Sequence, residues 1–379
     1  MRFLVIHPKM SIFGGGERVC LHMVKALAEA GHDVTLLCEP FDMNEMNRIL
    51  GNGHFLDKVQ CLSFSDRHAG YLPSPQPRIP LFKTYQLALS AFVHELKLRG
   101  ALRNFDIILS TQDVVYAPPV GLPIAQYVYY PQNFFHLSAP QHTRVPLTVS
   151  RLYYKPVLAL QARKVRYFRW LMAVSRFTAQ KIREQWKREA QVVYPPVQQL
   201  GDSQQKICKV VYVARFVPEK RHDVFFQIAR SLPDYHFVAI GGLASEFRGF
   251  LRNLVHSKPT NVELLVNAPV ERVRHELADS LVYLHCMENE HFGISIVEAM
   301  SAGCVPIIHK SGGALEAVGE CGFAWETLDE AVKMIQLVFR DDRLATQKRA
   351  SAVARSQQFG ANKFEEQVKN LAERWEKEL

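Results

Sequence analysis

Residues 1–38 read MRFLVIHPKMSIFGGGERVCLHMVKALAEAGHDVTLLC, and this stretch decides the fold. Phe3 to Ile6 is a short apolar run without polar alternation, the pattern of a parallel strand buried on both faces. The loop PKMSIFGGGERV follows it, after which Val19, Met23, Val24, Leu27 and Ala30 recur at helical spacing. Gly31 is placed to end that helix, and Val34 to Cys38 is apolar again. The order is strand, glycine loop, helix, strand, a crossover unit that joins two parallel strands. Gly14, Gly15 and Gly16 open the helix, where a missing Cβ lets backbone come close to a ligand. Glycines required only by a turn fit the same pattern. The spacing GxGxxG of dinucleotide sites is not there, which sets a nicotinamide dehydrogenase low among the readings.

The same alternation continues outward. Asp106 to Ser110, Ala125 to Val128 and Leu171 to Val174 read as further strands, each entering a loop on the side of the Gly14 loop if the sheet is parallel. Ser175 is a candidate cap for a helix running to Trp186. Pro73, Pro75, Pro77 and Pro80 mark a long loop, and Leu81 to Leu98 has a helical pattern. VVYPPV, residues 192–197, reads as a strand ended by two prolines, and polar residues Gln198 to Lys206 place a domain boundary there. Beyond it the pattern restarts with strands at Val210 to Val213, Phe237 to Ile240, Val262 to Val266, Leu281 to Leu284 and Val305 to His309, separated by helical segments. The expected class is α/β with two doubly wound parallel-sheet, Rossmann-like domains, residues 1–200 and 201–358. A last helix within 359–379 has its apolar face at Phe364, Val368, Leu371 and Trp375, and it is free to cross back onto the first domain.

Composition bounds the function. The chain has 379 residues, 48% hydrophobic and 22% charged, enough for two cores of ordinary size. No apolar run reaches the roughly 18 residues needed to cross a bilayer. The first residues read as a strand and not as a signal peptide. Seven cysteines are scattered singly, matching neither a zinc pattern nor a disulfide framework, so a reducing cytoplasm is the expected home. Residues 1–200 hold 24 Lys and Arg against 13 Asp and Glu, whereas the remainder holds 22 against 24, so the net charge of +9 lies in the first half. Arg144 to Arg188 carries twelve of those cations and one acid, Glu184, interleaved with aromatic residues. Such a segment suits anionic lipid, a phosphorylated acceptor or nucleic acid, and equally a solvated helical face.

The chemistry concentrates at residues 290–303, EHFGISIVEAMSAG, where seven residues separate Glu290 from Glu298. A helix starting near Gly293 has unpaired amide groups at its positive end, a seat for phosphate. A carboxylate on either side can hold neutral hydroxyls, so the implied ligand is a sugar diphosphate carrying a nucleoside. Two solvated acids would read the same if they stood alone. They do not, because Arg215, Glu219 and Lys220 lie in the loop ARFVPEK after the first strand of the second half, and parallel strands bring both loops to one edge. Two cations facing a helix amino terminus suit a departing diphosphate.

With GGGERV, VVYPPV, ARFVPEK, EHFGISIVEA and SGGALEAVGECGF in these positions, the chain resembles the retaining glycosyltransferases of family 4, whose GT-B fold sets two such domains across a cleft. The resemblance covers nearly the whole chain and is greatest to mannosyltransferases that extend lipid-linked oligosaccharides from GDP-mannose at the cytosolic membrane face. It implies that Arg215 and Lys220 bind the donor diphosphate together with backbone at Gly293, Ile294 and Ser295 and with Gly14, Gly15 and Gly16. It further implies that Glu298 holds the ribose, that Glu290 contacts the transferred sugar beside His291 and Phe292, and that Asn267 and Ala268 lie near the base. No metal or cofactor beyond the nucleotide-sugar is expected, and the acceptor would attack from the face that the diphosphate leaves. Where the family often carries a histidine, within QYVYYPQNFF, this chain has Tyr129, a phenol that carries no positive charge at neutral pH. Tyr129, Tyr130 and His136 are the candidates for the acceptor side. The expected partners are a nucleotide-sugar donor and a lipid-linked or other anionic acceptor, with peripheral membrane contact through the basic first domain. A UDP-sugar-dependent enzyme of the same fold, and a non-catalytic protein holding lipid or nucleic acid, are the alternatives.

Overall fold

The computed structural model describes residues 1–8, 10, 14–39, 41, 59–63, 101–112, 114, 121–131, 163–202 and 205–379. The helical pattern at Leu81 to Leu98, the proline-marked loop before it, and His136 lie outside the described residues. The chain divides into two compact units, one formed by Met1–Pro196 with Phe364–Leu379, the other by Val197–Lys363.

In the first unit the strands are β1 (Arg2–Ile6), β2 (Asp33–Cys38), β3 (Gln60–Ser63), β4 (Ile107–Ser110), β5 (Ile124–Val128), β6 (Phe168–Ala173) and β7 (Gln191–Val192). They form one sheet in the order β3-β2-β1-β4-β5-β6-β7, every pair parallel. Apolar runs such as FLVI and IILS are buried throughout, as a parallel sheet covered on both faces requires. Helix α1 (Gly15–Glu29) buries Val19, Met23, Val24 and Leu27, and Gly31, at φ +83°, follows its end. Ser175 caps α2 (Arg176–Trp186) by accepting the Thr178 N–H at 3.0 Å. The expected strand at 192–197 is only two residues long, because Pro195 and Pro196 have no N–H to continue the ladder.

The second unit has β8 (Ile207–Val213), β9 (His236–Gly241), β10 (Val262–Val266), β11 (Ser280–His285), β12 (Val305–His309) and β13 (Phe323–Trp325). Their order is β10-β9-β8-β11-β12-β13, again all parallel. Helices α3 (His222–Arg230), α4 (Arg248–Ser257), α5 (Val270–Asp279), α6 (Ile294–Ser301), α7 (Ala314–Val318), α8 (Leu328–Arg340) and α9 (Asp342–Ser356) follow the strands. Thr327 and Glu330 form a reciprocal capping box at the start of α8, and Asp341 caps α9 through the Leu344 N–H. The unit begins at Val197, four residues before the start read from sequence at 201, and the Val197 N–H donates to the Phe359 carbonyl at 2.8 Å.

The last helix, α10 (Ala361–Glu378), places Trp375 against Trp170 with ring centroids 5.4 Å apart, and Phe364 edge-on to Tyr127. Glu365 on the same helix receives Lys25 at 2.9 Å and His22 at 2.7 Å from α1. The residues from Phe364 onward thus complete the first unit.

Candidate functional site

The second sheet reverses direction between β8 and β11, the switch point at which ligands of wound sheets bind, beyond the carboxyl ends of the strands. Two loops leave β8 and β11 there, residues 214–221 and 286–293. Three buried aromatic residues shape them. Tyr212 donates to the Lys220 carbonyl at 2.7 Å, and Tyr283 reaches both the Val213 carbonyl and the Ser295 hydroxyl, at 3.2 and 2.8 Å. Phe216 stacks on His222 at 4.8 Å. Gly241 lets the end of β9 pass the first loop, since a Cβ there would stand 1.8 Å from the Ala214 carbonyl oxygen.

These contacts bring Lys220 and Glu290 together. The ammonium lies 2.6 Å from Glu290 Oε2 and 3.0 Å from Met287 Sδ. The same carboxylate oxygen is 3.2 Å from His285 Nε2, while Oε1 accepts the His291 N–H at 3.0 Å. Burial alone would raise the Glu290 carboxyl, but Lys220 and the imidazoles of His285 and His291 outweigh it and hold it well below the usual carboxylate range. The Glu290 backbone is set by the loop after β12, where the Gly313 N–H donates to the Glu290 carbonyl at 2.6 Å. Gly312 makes this approach possible. Its φ is +74°, and a Cβ would stand 2.5 Å from that carbonyl.

Gly293, at φ +95°, precedes α6, whose first turn begins at Ile294 and Ser295. The helix amino terminus therefore lies one turn of loop beyond the Lys220–Glu290 pair, as a phosphate seat requires. Phe292 is buried and edge-on to Phe359, so it packs the floor of this loop, and half-buried Glu298 lies on α6. Arg215 is exposed and its side chain has no partner among the described residues, a cation available to an anionic ligand. Asn267, in the left-handed region at φ +53°, donates its N–H to Gly241 and accepts the Leu243 N–H on its side chain at 2.9 Å. It holds the loop after β9, with Ala268 next to it in the chain.

In the first unit the glycine loop stands at the end of β1. Glu17 accepts the Gly14 N–H at 2.9 Å, so that amide is already satisfied by the helix's own carboxylate. Tyr129 donates to the Gly16 carbonyl at 3.1 Å, and its ring packs edge-on to Tyr127. Below them buried His7 bonds to Thr111 at 2.8 Å. Tyr130 stacks on Phe177. Sequence reasoning missed His285 and the supporting tyrosines because each ends or interrupts an apolar run that reads as plain strand.

A chain with two wound parallel sheets, one of which presents a lysine–carboxylate pair and a helix amino terminus at its switch point, has the parts of a glycosyltransferase of GT-B fold. The chain belongs to the family 4 glycosyltransferases. Residues 13–198 match the family described as Glycosyltransferase Family 4, and residues 201–357 match Glycosyl transferases group 1. Three relatives share the name GDP-Man:Man(3)GlcNAc(2)-PP-Dol alpha-1,2-mannosyltransferase. That of Yarrowia lipolytica is 29% identical over 55% of this chain and 39% of its own length. That of Dictyostelium discoideum is 29% identical over 96% of this chain and 84% of its own. The human protein is 26% identical over 81% and 72%. Among solved structures, sucrose-phosphate synthase from Thermosynechococcus elongatus superposes with a TM-score of 0.74 over 100% of both chains at 15% identity. Anabaena Alr3699/HepE in complex with UDP gives 0.70 over 98% of this chain and 100% of its own at 16% identity. At such identities these two establish the fold alone.

Proposed function

We propose that this glycosyltransferase moves mannose from GDP-mannose, with retention, to a lipid-linked oligosaccharide. The observation that carries the reading is the Lys220–Glu290 pair at the β8/β11 switch point, with exposed Arg215 on the same loop as Lys220. Lys220 has three N–H groups and can meet a donor phosphate while keeping Glu290. Arg215 supplies the second cation for the charge that builds on the departing diphosphate, and the amides of Ile294 and Ser295 the third contact. Glu290, held ionised, accepts hydroxyls of the transferred sugar, and Glu298 accepts those of the ribose. Cationic side chains and helix amides take the role of charge neutralisation in this reading, so no divalent metal is assigned. The acceptor approaches the face from which the diphosphate leaves, and the departing oxygens receive its proton.

The mannose donor and the lipid-linked acceptor rest on the names of the relatives. The exposed Arg163, Arg166, Arg169 and Tyr167 of the first unit support contact with a cytosolic membrane face. Among the described residues no helix is long and apolar enough to cross a membrane.

The test is product analysis with a panel of sugar nucleotides and prenyl-diphosphate-linked oligosaccharides. Mannose transfer from GDP-mannose, and stabilisation by GDP over UDP, are expected. Stabilisation by UDP alone replaces the donor with a UDP-sugar.

A further inference from the structure

His285 is the last residue of β11, 1% exposed, and nothing in the proposed reaction uses it. Its ring packs edge-on to Tyr212 at 5.7 Å and parallel to Tyr283 at 6.5 Å, so it cannot turn without unpacking both. Nε2 is 3.2 Å from Glu290 Oε2, and Nδ1 is buried with no partner. A carboxylate accepts only, so Nε2 carries the hydrogen. The buried Nδ1 is then a bare lone pair, which costs less than a buried, unpartnered N–H⁺. Burial correspondingly lowers this imidazole, with Glu290 opposing. Lys220 is shared, since the proposed reaction gives it a phosphate to bind as well as Glu290. Among the described residues, His285 makes no hydrogen bond other than the one to Glu290.

We propose that His285 is a positioning residue for Glu290: as the neutral Nε2–H tautomer it keeps the carboxylate ionised and aimed when the donor diphosphate draws on Lys220. This rests on the role given to Glu290 above. The groups facing His285 are Glu290 from the loop that follows it, Lys220 from the loop after β8, His309 at the end of β12, and the phenols of Tyr212 and Tyr283. The two tyrosines hold the ring, the Lys220 charge disfavours its protonated form, and Glu290 faces its ring N–H. Removing that hydrogen bond leaves nucleotide contacts intact, because those come from Arg215, Lys220, Glu298 and α6. Its loss is therefore read in turnover and not in GDP affinity.

The experiment compares His285→Phe, His285→Gln and Glu290→Gln in the full chain, measuring GDP affinity by calorimetry and kcat for mannose release or transfer from GDP-mannose. His285→Phe fills the same space without a donor and is expected to lower kcat about tenfold or more with GDP affinity unchanged. His285→Gln restores an N–H near the Nε2 position and is expected to recover most of the loss. Equal losses in the Phe and Gln variants, or no loss in Phe, overturn the proposal. A Glu290→Gln enzyme with full turnover sinks the role of Glu290 itself. Nitrogen NMR of labelled histidines in the ligand-free protein then decides the contact alone: an Nε2–H signal for His285 that moves in Glu290→Gln supports it, and an Nδ1–H tautomer overturns it.

Discussion

Lys220 Nζ and Glu290 Oε2 lie 2.6 Å apart with side chains only 17% and 12% exposed, and the two partners are unequally supported. Without Lys220, the Glu290 carboxylate keeps the His285 ring and the His291 N–H. Without Glu290, the Lys220 ammonium keeps, among the described residues, only a thioether. Glu290→Ala is therefore expected to destabilise the protein by about 3 kcal/mol and Lys220→Ala by less, about 2 kcal/mol. The double variant should cost less than the sum. Equilibrium urea unfolding measures all three, and the reverse order of the single variants would contradict this account of the pair.

Gly312 and Gly241 give a backbone test of the same loops. A methyl at Gly312 meets the Glu290 carbonyl at 2.5 Å and the Asn289 carbonyl carbon at 2.7 Å, and its φ of +74° disfavours any side chain. Gly312→Ala should displace Glu290 by a fraction of an ångström to an ångström and lower kcat about a hundredfold while the sheet survives. Gly241→Ala puts its methyl 1.8 Å from the Ala214 carbonyl oxygen, between two backbones with no side chain to yield. Its expected effect is loss of soluble folded protein, or a drop of several kcal/mol, read by circular dichroism and thermal melting. Wild-type turnover in Gly312→Ala would show that the loop after β12 does not place Glu290.

The wound sheets were legible because parallel strands buried on both faces leave uninterrupted apolar runs, as in FLVI and VVYV, and because Gly31 and Ser175 mark helix ends at predictable places. The meeting of Lys220 with Glu290 was legible through topology, since parallel strands put their following loops on one edge. His285 was not. It ends LVYLH, a run whose pattern says only that the strand is buried, and its role appears only when Glu290 is seen to fold back over the strand end. The length of β7 was overread because VV before two prolines looks like the end of a longer strand. The Gly14 to Gly16 loop was read as a place where backbone comes close to a ligand, and the sequence did not show that Glu17, three residues on, takes up the Gly14 amide.

Glu290 and Glu298 should separate kinetically. Glu290 sits against the Lys220 ammonium at the strand end, whereas Glu298 lies half-buried along α6, away from that pair in sequence by two helical turns. If Glu298 accepts ribose hydroxyls, Glu298→Gln removes a charge-assisted bond that is the same in ground and transition states. KM for the donor should rise about tenfold with kcat little changed. Glu290→Gln should do the opposite, lowering kcat more than it raises KM. Steady-state kinetics with the donor varied decide it, and parallel effects of both variants on both constants would refute the division.

His222 adds a pH dependence to folding. It is 0% exposed, stacked on Phe216 and 5.3 Å from Tyr212, and neither ring nitrogen makes a well-formed hydrogen bond. Burial first, and Lys220 second, push it down to about 4, with the Ala214 backbone opposing. The unfolded chain takes up that proton near the ordinary value of about 6.5 while the folded protein does not, so stability is full above that pH. It declines as pH falls from there toward 4, by on the order of 3 kcal/mol for this residue. The buried, lowered imidazoles of His285 and His291 act in the same direction. Glu290, a depressed carboxylate, loses its contribution only at still lower pH. His222→Phe keeps the stack on Phe216, removes the two unpaired ring nitrogens of His222, and should be at least as stable as the parent at pH 7. Its melting temperature should fall less steeply between pH 6.5 and 4. Identical slopes in the parent and His222→Phe would mean that His222 is protonated or solvated in the folded protein, against the packing described here.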